Sequence, residues 1–136
     1  MIYLTRRETF NAAHRLFKKE FSDEKNLEIF GKCSNPNWHG HNYVLFVTVK
    51  GETNKETGLL INLKQLSAII RENIIEKIDH KNMNTEVSFM TGEIASTENL
   101  AEAIWNELVE PILICGATLH CVRLVETENN FVEYYG

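Results

Sequence analysis

His41-Asn42-Tyr43-Val44-Leu45-Phe46-Val47-Thr48-Val49-Lys50 is the stretch that decides the fold class. Its β-branched and aromatic residues favour an extended strand, and apolar side chains fall on both parities. The strand is therefore expected to be covered on both faces for part of its length. Directly upstream, Cys33-Ser34-Asn35-Pro36-Asn37-Trp38-His39-Gly40-His41 sets a cysteine ahead of two histidines that flank a glycine. Histidines two apart on a strand point to the same side, so their rings can converge on one ion, while Gly40 leaves room for close backbone approach. A third neutral ligand would complete a zinc site that keeps one position open for substrate or water.

Before this strand, Ile2 to Ala13 carries Ile2, Leu4, Phe10 and Ala12 on one parity and Tyr3, Thr5 and Thr9 on the other, which suits a half-buried strand. His14 shares the parity of Phe10 and Ala12 and would emerge on the inward face at the strand end. Residues 15 to 38 are polar and lysine-rich and read as a long excursion with a short helical turn around Asp23 to Ile29. A loop of that length in a compact domain is more often functional than idle.

After the strand, Gly51 to Gly58 supplies turn chemistry, and Asn62 with Gln65 resembles a capping box. Leu63, Leu66, Ile70, Ile74 and Ile78 mark one face of the helix that follows, which should end near Asp79-His80. A second helix opens at Ser96-Thr97-Glu98 and is expected to stop at Pro111. Thr118 to Glu126 and Phe131 to Tyr135 read as strands joined by a tight turn at Asn129-Asn130. The order strand, strand, helix, helix, strand, strand predicts an α+β sandwich, a four-stranded antiparallel sheet backed by two helices in one domain over residues 1 to 136. Its edge strands would be covered most simply by joining sheets in a ring-like assembly.

The 136 residues are 43% hydrophobic and 24% charged, ordinary values for a globular chain able to bury a core without disulfides. A net charge of −5 with no basic block excludes general binding of nucleic acid or an anionic membrane. Lys18, Lys19, Lys25 and Lys32 form a loose cluster that reads first as a solvated loop and second as a dock for an anionic group. Cys33, Cys115 and Cys121 follow no disulfide spacing, and the amino terminus has no signal pattern, so a cytoplasmic, reducing location is expected. The apolar runs are too short to span a bilayer.

Lone histidines are usually surface or satisfied core residues, but His39 and His41 beside a cysteine favour a metal, and position alone leaves His14 open as third ligand. His120, in mid-strand, takes the structural reading. Cys33 stands either as a fourth ligand or as a free thiol. A thiol of pKa about 8.5 needs a nearby base or cation to act at neutral pH. His80 oriented by Asp79 could supply that base, although such a pair at a helix end is more often a cap.

Phe10-Asn11-Ala12-Ala13-His14-Arg15-Leu16, Phe30-Gly31-Lys32-Cys33 through Pro36, His39-Gly40-His41-Asn42-Tyr43, Asp79-His80-Lys81-Asn82, Ser96-Thr97-Glu98-Asn99 and Glu126-Thr127-Glu128-Asn129-Asn130 resemble, in order and approximate spacing, the 6-pyruvoyl-tetrahydropterin synthase family. The resemblance covers nearly the whole chain. It implies a tunnelling fold in which three subunits close a twelve-stranded antiparallel barrel and two trimers stack into a homohexamer. It further implies zinc on His14, His39 and His41, Cys33 as general base, and Asp79 with His80 supplied by a neighbouring subunit. Glu126 would anchor a pterin ring, with Thr97 and Glu98 close by. The implied reaction turns 7,8-dihydroneopterin triphosphate into 6-pyruvoyl-tetrahydropterin and inorganic triphosphate, in tetrahydrobiopterin biosynthesis, without a nicotinamide.

Two positions depart from the pattern: Asn11 stands where serine is common and Trp38 where glycine is common. The five residues between Cys33 and His39 are similar to the pyruvoyl-forming type, whereas the 6-carboxy-tetrahydropterin synthases of queuosine biosynthesis usually show three. A branch that uses glutamate in place of the cysteine is disfavoured by Cys33. The alternatives are carboxy-tetrahydropterin synthesis and, from another class, a non-catalytic zinc- or pterin-binding module.

Overall fold

Alternating burial along residues 8 to 14 and 43 to 49 seats the two longest strands on one core, and the rest of the chain is arranged around that pair. In the computed structural model, which describes residues 1–136, the chain runs β1 (Ile2–His14), α1 (Asp23–Phe30), β2 (His39–Gly51), α2 (Leu63–Ile70), α3 (Glu76–Ile78), β3 (Lys81–Asn82), α4 (Thr97–Ile114), β4 (Thr118–Thr127) and β5 (Asn130–Tyr134). The sheet order is β3-β1-β2-β4-β5. β1 and β2 pair antiparallel without a break from Ile2 opposite Gly51 to His14 opposite His39.

One face of the sheet carries Phe10, Ala12, Tyr43, Leu45, Val47, Val49, Val122 and Leu124, all buried against the helices. Leu66, Ile70, Ile74 and Ile78 from the first helical segment and Leu100, Ile104, Leu108 and Ile112 from α4 complete that core. On the opposite face, Tyr3, Thr5, Arg7, Thr9 and Asn11 are exposed, and Val44, Phe46 and Thr48 are only half-buried. The apolar second parity of β2 thus remains partly open within one chain, short of the two-sided burial expected from its composition.

The sheet has five strands rather than four and is mixed rather than wholly antiparallel. Lys81 and Asn82 pair parallel with Ala12 and Ala13, because the chain leaving α3 runs back along the β1 edge. Asp79 accepts from the Asn11 amide at 2.8 Å, and the His80 amide donates to the Asn11 carbonyl at 2.6 Å. The hairpin joining β4 to β5 turns at Glu128-Asn129, one residue earlier than expected, with Thr127 opposite Asn130.

The first long helix is interrupted by a π-helical turn at Arg71–Ile75. Leu66, Ile70, Ile74 and Ile78 recur every fourth residue. Such a repeat drifts by about 40° per step on an α-helix of 3.6 residues per turn. A wider turn at the midpoint returns the stripe to the sheet. Leu63 lies outside the stripe and is 51% exposed. Asn62 caps α2 by accepting from the Lys64 amide at 2.9 Å, but no capping box forms, since the Gln65 side chain donates to the Cys115 sulfur at 3.1 Å.

Pro111 does not end α4, which continues to Ile114. Proline removes one donor, yet burial of Ile112 holds the last turn in place. The helix closes with Gly116 at φ 85°, its amide bonded to the Leu113 carbonyl at 3.0 Å and the Ala117 amide to the Ile112 carbonyl at 3.3 Å. That is the paired closure a left-handed glycine allows.

Replacing Ile74 with alanine is expected to lower unfolding stability by about 2–5 kcal/mol, because the turn that seats it cannot collapse around a missing side chain. Leu63→Ala should change stability by less than about 0.5 kcal/mol. Urea denaturation of the two variants checks the contrast.

Candidate metal centre and adjoining cavity

The register that pairs β1 with β2 also builds the histidine cluster. His14 and His39 are direct cross-strand partners, and His41 lies opposite the small Ala12, whose methyl leaves room for the imidazole. Ring centroids lie 4.5 Å apart for His14 and His39, 5.0 Å for His14 and His41, and 5.1 Å for His39 and His41. One ring nitrogen from each falls within 4.8 Å of the others. Gly40 has the role read from the sequence: a Cβ there would come 3.1 Å from the Ala12 carbonyl oxygen.

The donor set fits a divalent metal. His14 Nδ1 donates to the Ala95 carbonyl at 2.7 Å, which fixes the tautomer and leaves Nε2 as the free lone pair. That Nε2 is buried with no hydrogen-bond partner, a costly state for an acceptor unless a cation takes it. Three neutral imidazoles with a fourth position free suit zinc or a similar borderline ion. Burial pushes His14 below the ordinary imidazole value of 6.5, outweighing the opposing bond to Ala95. Burial, then the neighbouring His41, lower His39 in the same direction. Both rings are therefore held in the neutral form that ligates.

Glu126, on β4, reaches into this cluster. Its Oε1 lies 3.5 Å from His41 Nε2 and 3.7 Å from His14 Nε2, and it accepts from the Thr97 hydroxyl at 2.9 Å. Thr97 is delivered by the start of α4, where the Ser96 side chain accepts from the Asn99 amide at 3.2 Å and opens the helix as its cap. A cavity of about 450 Å³ beside Glu126 is lined by Thr97, Glu98, Cys33, Leu16, Asn129 and Phe131, among others. Cys33 arrives there because the 3-10 turn Gly31–Ser34 is tied to the end of β1: the Leu16 amide donates to the Cys33 carbonyl at 2.9 Å and Arg15 Nε to the Ser34 carbonyl at 2.7 Å. The loop itself is pinned by buried Asn26, whose amide group both accepts from and donates to the Lys18 backbone at 2.9 and 3.0 Å. Lys18 and Lys25 lie over the Phe21 ring, so half of the lysine cluster packs on the loop's own surface.

The structure does not bring Asp79 and His80 to Cys33 within one chain. Asp79 Oδ2 meets His80 Nδ1 at 2.9 Å, and the Asn11 amide holds the Asp79 carboxyl below its usual range. This pair lines a different cavity, with Arg7, Thr9, Asn11 and Asn42, at the sheet edge beside β1. Cys33 and the Asp79–His80 pair thus line separate cavities of one chain.

Two participants were missed in the sequence. The Ala95 carbonyl carries no sequence signal, being a backbone group ahead of a helix cap. Tyr43 does: it shares the parity of His39 and His41. It is fully buried, stacks on Phe10 at 5.0 Å and meets His41 edge-on at 5.6 Å.

A family model described as 6-pyruvoyl tetrahydropterin synthase matches residues 3–136. The 6-pyruvoyl tetrahydrobiopterin synthase of Pongo abelii is 47% identical over 133 residues, covering 98% of this chain and 90% of that protein. The solved structure of Caenorhabditis elegans 6-pyruvoyl tetrahydropterin synthase superposes with a TM-score of 0.92 at 33% identity, over 99% of this chain and 95% of that one. A 6-carboxy-5,6,7,8-tetrahydropterin synthase of Rickettsia conorii is 26% identical over 149 residues, covering 98% of this chain and 99% of that protein. No helix is long and apolar enough to cross a membrane.

Because the folded His14 and His39 titrate below 6.5, protons compete with a metal at these two rings only below that value. Metal affinity, measured by chelator competition, is expected to stay level on acidification to about pH 6.5 and to fall beneath it. For the metal-free chain, the stability linked to these depressed values is complete above 6.5 and is lost as pH drops through them. Affinity already declining above pH 6.5 would contradict the assignment of neutral rings.

Proposed function

Since the chain belongs to the 6-pyruvoyl tetrahydropterin synthase family, we propose that it converts 7,8-dihydroneopterin triphosphate to 6-pyruvoyl-tetrahydropterin with loss of inorganic triphosphate, in tetrahydrobiopterin biosynthesis. The observation that carries this reading is a single cavity in which Cys33, Thr97 and Glu98 face a Glu126 carboxylate that touches the histidine cluster. The conversion is an internal redox transfer between side chain and ring coupled to elimination, so it needs no external oxidant or reductant.

His14, His39 and His41 would hold zinc, which when bound supplies Lewis acidity to the substrate's side-chain hydroxyls and so acidifies the adjacent carbon-bound protons. Glu126 accepts two parallel hydrogen bonds from the 2-aminopyrimidinone edge of the pterin, fixing ring orientation with charge assistance. The Thr97 hydroxyl, already bonded to Glu126, keeps that carboxylate from rotating. Glu98, exposed at the cavity wall, is the second acidic contact for the ring. Cys33 removes a proton from the side-chain carbon and returns one, acting as general base. Its thiol proton passes to His80, which Asp79 orients.

The separation of Asp79 and His80 from Cys33 within one chain supports a site shared between subunits, each lending its pair to a neighbour. The assembly that fits joins β1, β2, β4 and β5 of three chains as a twelve-stranded barrel, with the two-residue β3 outside that count, two such rings forming a homohexamer. The half-buried Val44 and Phe46 on the open sheet face are consistent with further covering there. Three free cysteines fit a reducing, cytoplasmic location.

Carboxy-tetrahydropterin synthesis is the second reading, weakened by the lower identity to that branch, 26% against 47%. A non-catalytic zinc- or pterin-binding module would have no use for a thiol facing Glu126 across the cavity. Incubation with dihydroneopterin triphosphate and mass identification of the product separates the three: pyruvoyl product and triphosphate are expected, whereas acetaldehyde with a carboxylated pterin points to the second reading. Cys33→Ala should reduce turnover by about a hundredfold or more with metal content and melting temperature unchanged. Full activity in that variant would refute Cys33 as the base.

A further inference from the structure

Of the five arginines, four are taken up by the fold. Arg6 and Arg71 pair with the buried Glu8 at 3.0 and 3.5 Å, Arg15 donates to the Ser34 carbonyl at 2.7 Å, and Arg123 stacks on Phe131 at 4.0 Å. Arg7 alone has no ion pair, hydrogen bond or ring partner within the chain, and it stands exposed on the open face of β1.

That guanidinium is not on bare surface. It lines the cavity of about 460 Å³ that also holds Asp79 and His80, together with Thr9, Asn11 and Asn42. Arg7, Thr9 and Asn11 are each two residues apart and so share one face of the strand, and the step from Arg7 to Asn11 covers about 13 Å. The one carboxylate in the wall is already engaged, since Asp79 accepts from the Asn11 amide at 2.8 Å and meets His80 Nδ1 at 2.9 Å. The Asn11 side chain donates to Asn42 Oδ1 at 2.7 Å, which orients Asn42 and leaves its NH2 group as a free donor. A permanently charged fork, a hydroxyl, an amide and an imidazole thus surround the space, while its one negative charge is committed to neighbours. Such a lining suits an anion with several oxygens.

The proposed reaction brings an anion of that kind to His80. Elimination breaks a bond between a side-chain carbon and a phosphate oxygen, which departs with the electron pair as the adjacent carbon gives up a proton. The groups that handle the proton and the departing triphosphate must therefore be close neighbours. We propose that Arg7 binds the substrate's triphosphate in a site shared between subunits, beside the His80 of its own chain and the Cys33 of the neighbour. The inference rests on the reading that Asp79 and His80 serve the Cys33 of another chain. The tail lies along the Arg7–Thr9–Asn11 face, with Arg7 taking the outer phosphates bidentately and His80 at the end where the bond breaks. A guanidinium there offsets the charge that spreads onto the leaving group.

The test compares wild type, Arg7→Ala and Arg7→Lys for KM and kcat on dihydroneopterin triphosphate, for inhibition by inorganic triphosphate, for binding of phosphate-free dihydroneopterin by fluorescence, and for melting temperature and metal content. Arg7→Ala should raise KM and the inhibition constant of triphosphate about tenfold or more, and Arg7→Lys by less, while dihydroneopterin binding, melting temperature and metal stay unchanged. Co-expression places the residue: Cys33→Ala and Arg7→Ala chains in one oligomer should recover sites of wild-type KM, because an intact Cys33 then meets an intact Arg7 across the interface. Unaltered KM and triphosphate inhibition in Arg7→Ala overturn the inference, as does equal weakening of phosphate-free dihydroneopterin or a mixed oligomer with no low-KM activity. Cys33→Ala co-expressed with His80→Ala checks the reading beneath it separately. Restored turnover there upholds the shared site whatever Arg7 does, and no restoration removes both.

Discussion

One unbroken antiparallel ladder, ending with His14 opposite His39, is the constraint on which everything else in this molecule rests. Side chains alternate between the faces of a sheet, so a slip of one residue would send the histidines of one strand to the opposite side from those of the other. Successive cross-strand pairs on the core face are His14 with His39, Ala12 with His41, Phe10 with Tyr43 and Glu8 with Leu45. The first three do different jobs: two imidazoles facing each other, a methyl that admits an imidazole, and two stacked rings that fix the floor beneath them. The buried Leu45, Val47 and Val49 that follow on β2 pin the register, and the register places the ligands. Metal-site geometry and core packing are in this sense one problem solved by one alternation.

Sequence periodicity revealed this part of the fold because it depends on near neighbours along the chain. The parity of Phe10, Ala12 and His14 was enough to anticipate the inward face, and the spacing of His39 and His41 a pair of ligands, while position alone left His14 open as the third. The Ser96 cap and the stripe from Leu66 to Ile78 were legible for the same reason. What escaped was set by contacts distant in sequence. The strand at Lys81–Asn82 exists only because the backbone of Ala12 and Ala13 lies alongside, and two residues hold no periodicity to read. Gln65 was drawn to Cys115 rather than to its own helix end. Pro111 looked like a stop because a missing donor is visible in sequence, while the buried Ile112 that outweighs it is not.

The long excursion before β2 shows the same divide. Its polarity was plain, but its order comes from a few directed bonds: Asn26 to the Lys18 backbone, Leu16 to Cys33, Arg15 to Ser34. These carry Cys33 to the wall of the Glu126 cavity without any apolar anchoring of the thiol itself. A loop held by hydrogen bonds rather than by a hydrophobic face can place one side chain accurately, and its sequence gives little warning of where that will be.

The two non-glycine residues with positive φ, Trp38 at 66° and His80 at 60°, stand where the chain enters β2 and where it leaves α3. A left-handed backbone costs a residue with a Cβ about 1–2 kcal/mol and survives only where its surroundings over-determine it. At Trp38 the determinants are the amide bond to the Asn35 carbonyl at 3.2 Å and the ladder that begins at the next residue. The same geometry accounts for glycine being at home in that place. At His80 they are the two bonds made with Asn11, whose amide donates to the Asp79 carboxylate and whose carbonyl accepts from the His80 amide. The consequence there is directional. With its backbone clamped to the outside of β1, His80 leaves 81% of its side chain exposed, ordered by Asp79 yet remote from the thiol of its own chain. The two bonds with Asn11 fix the backbone and the 2.9 Å contact with Asp79 fixes the ring, so the imidazole is presented outward in one orientation.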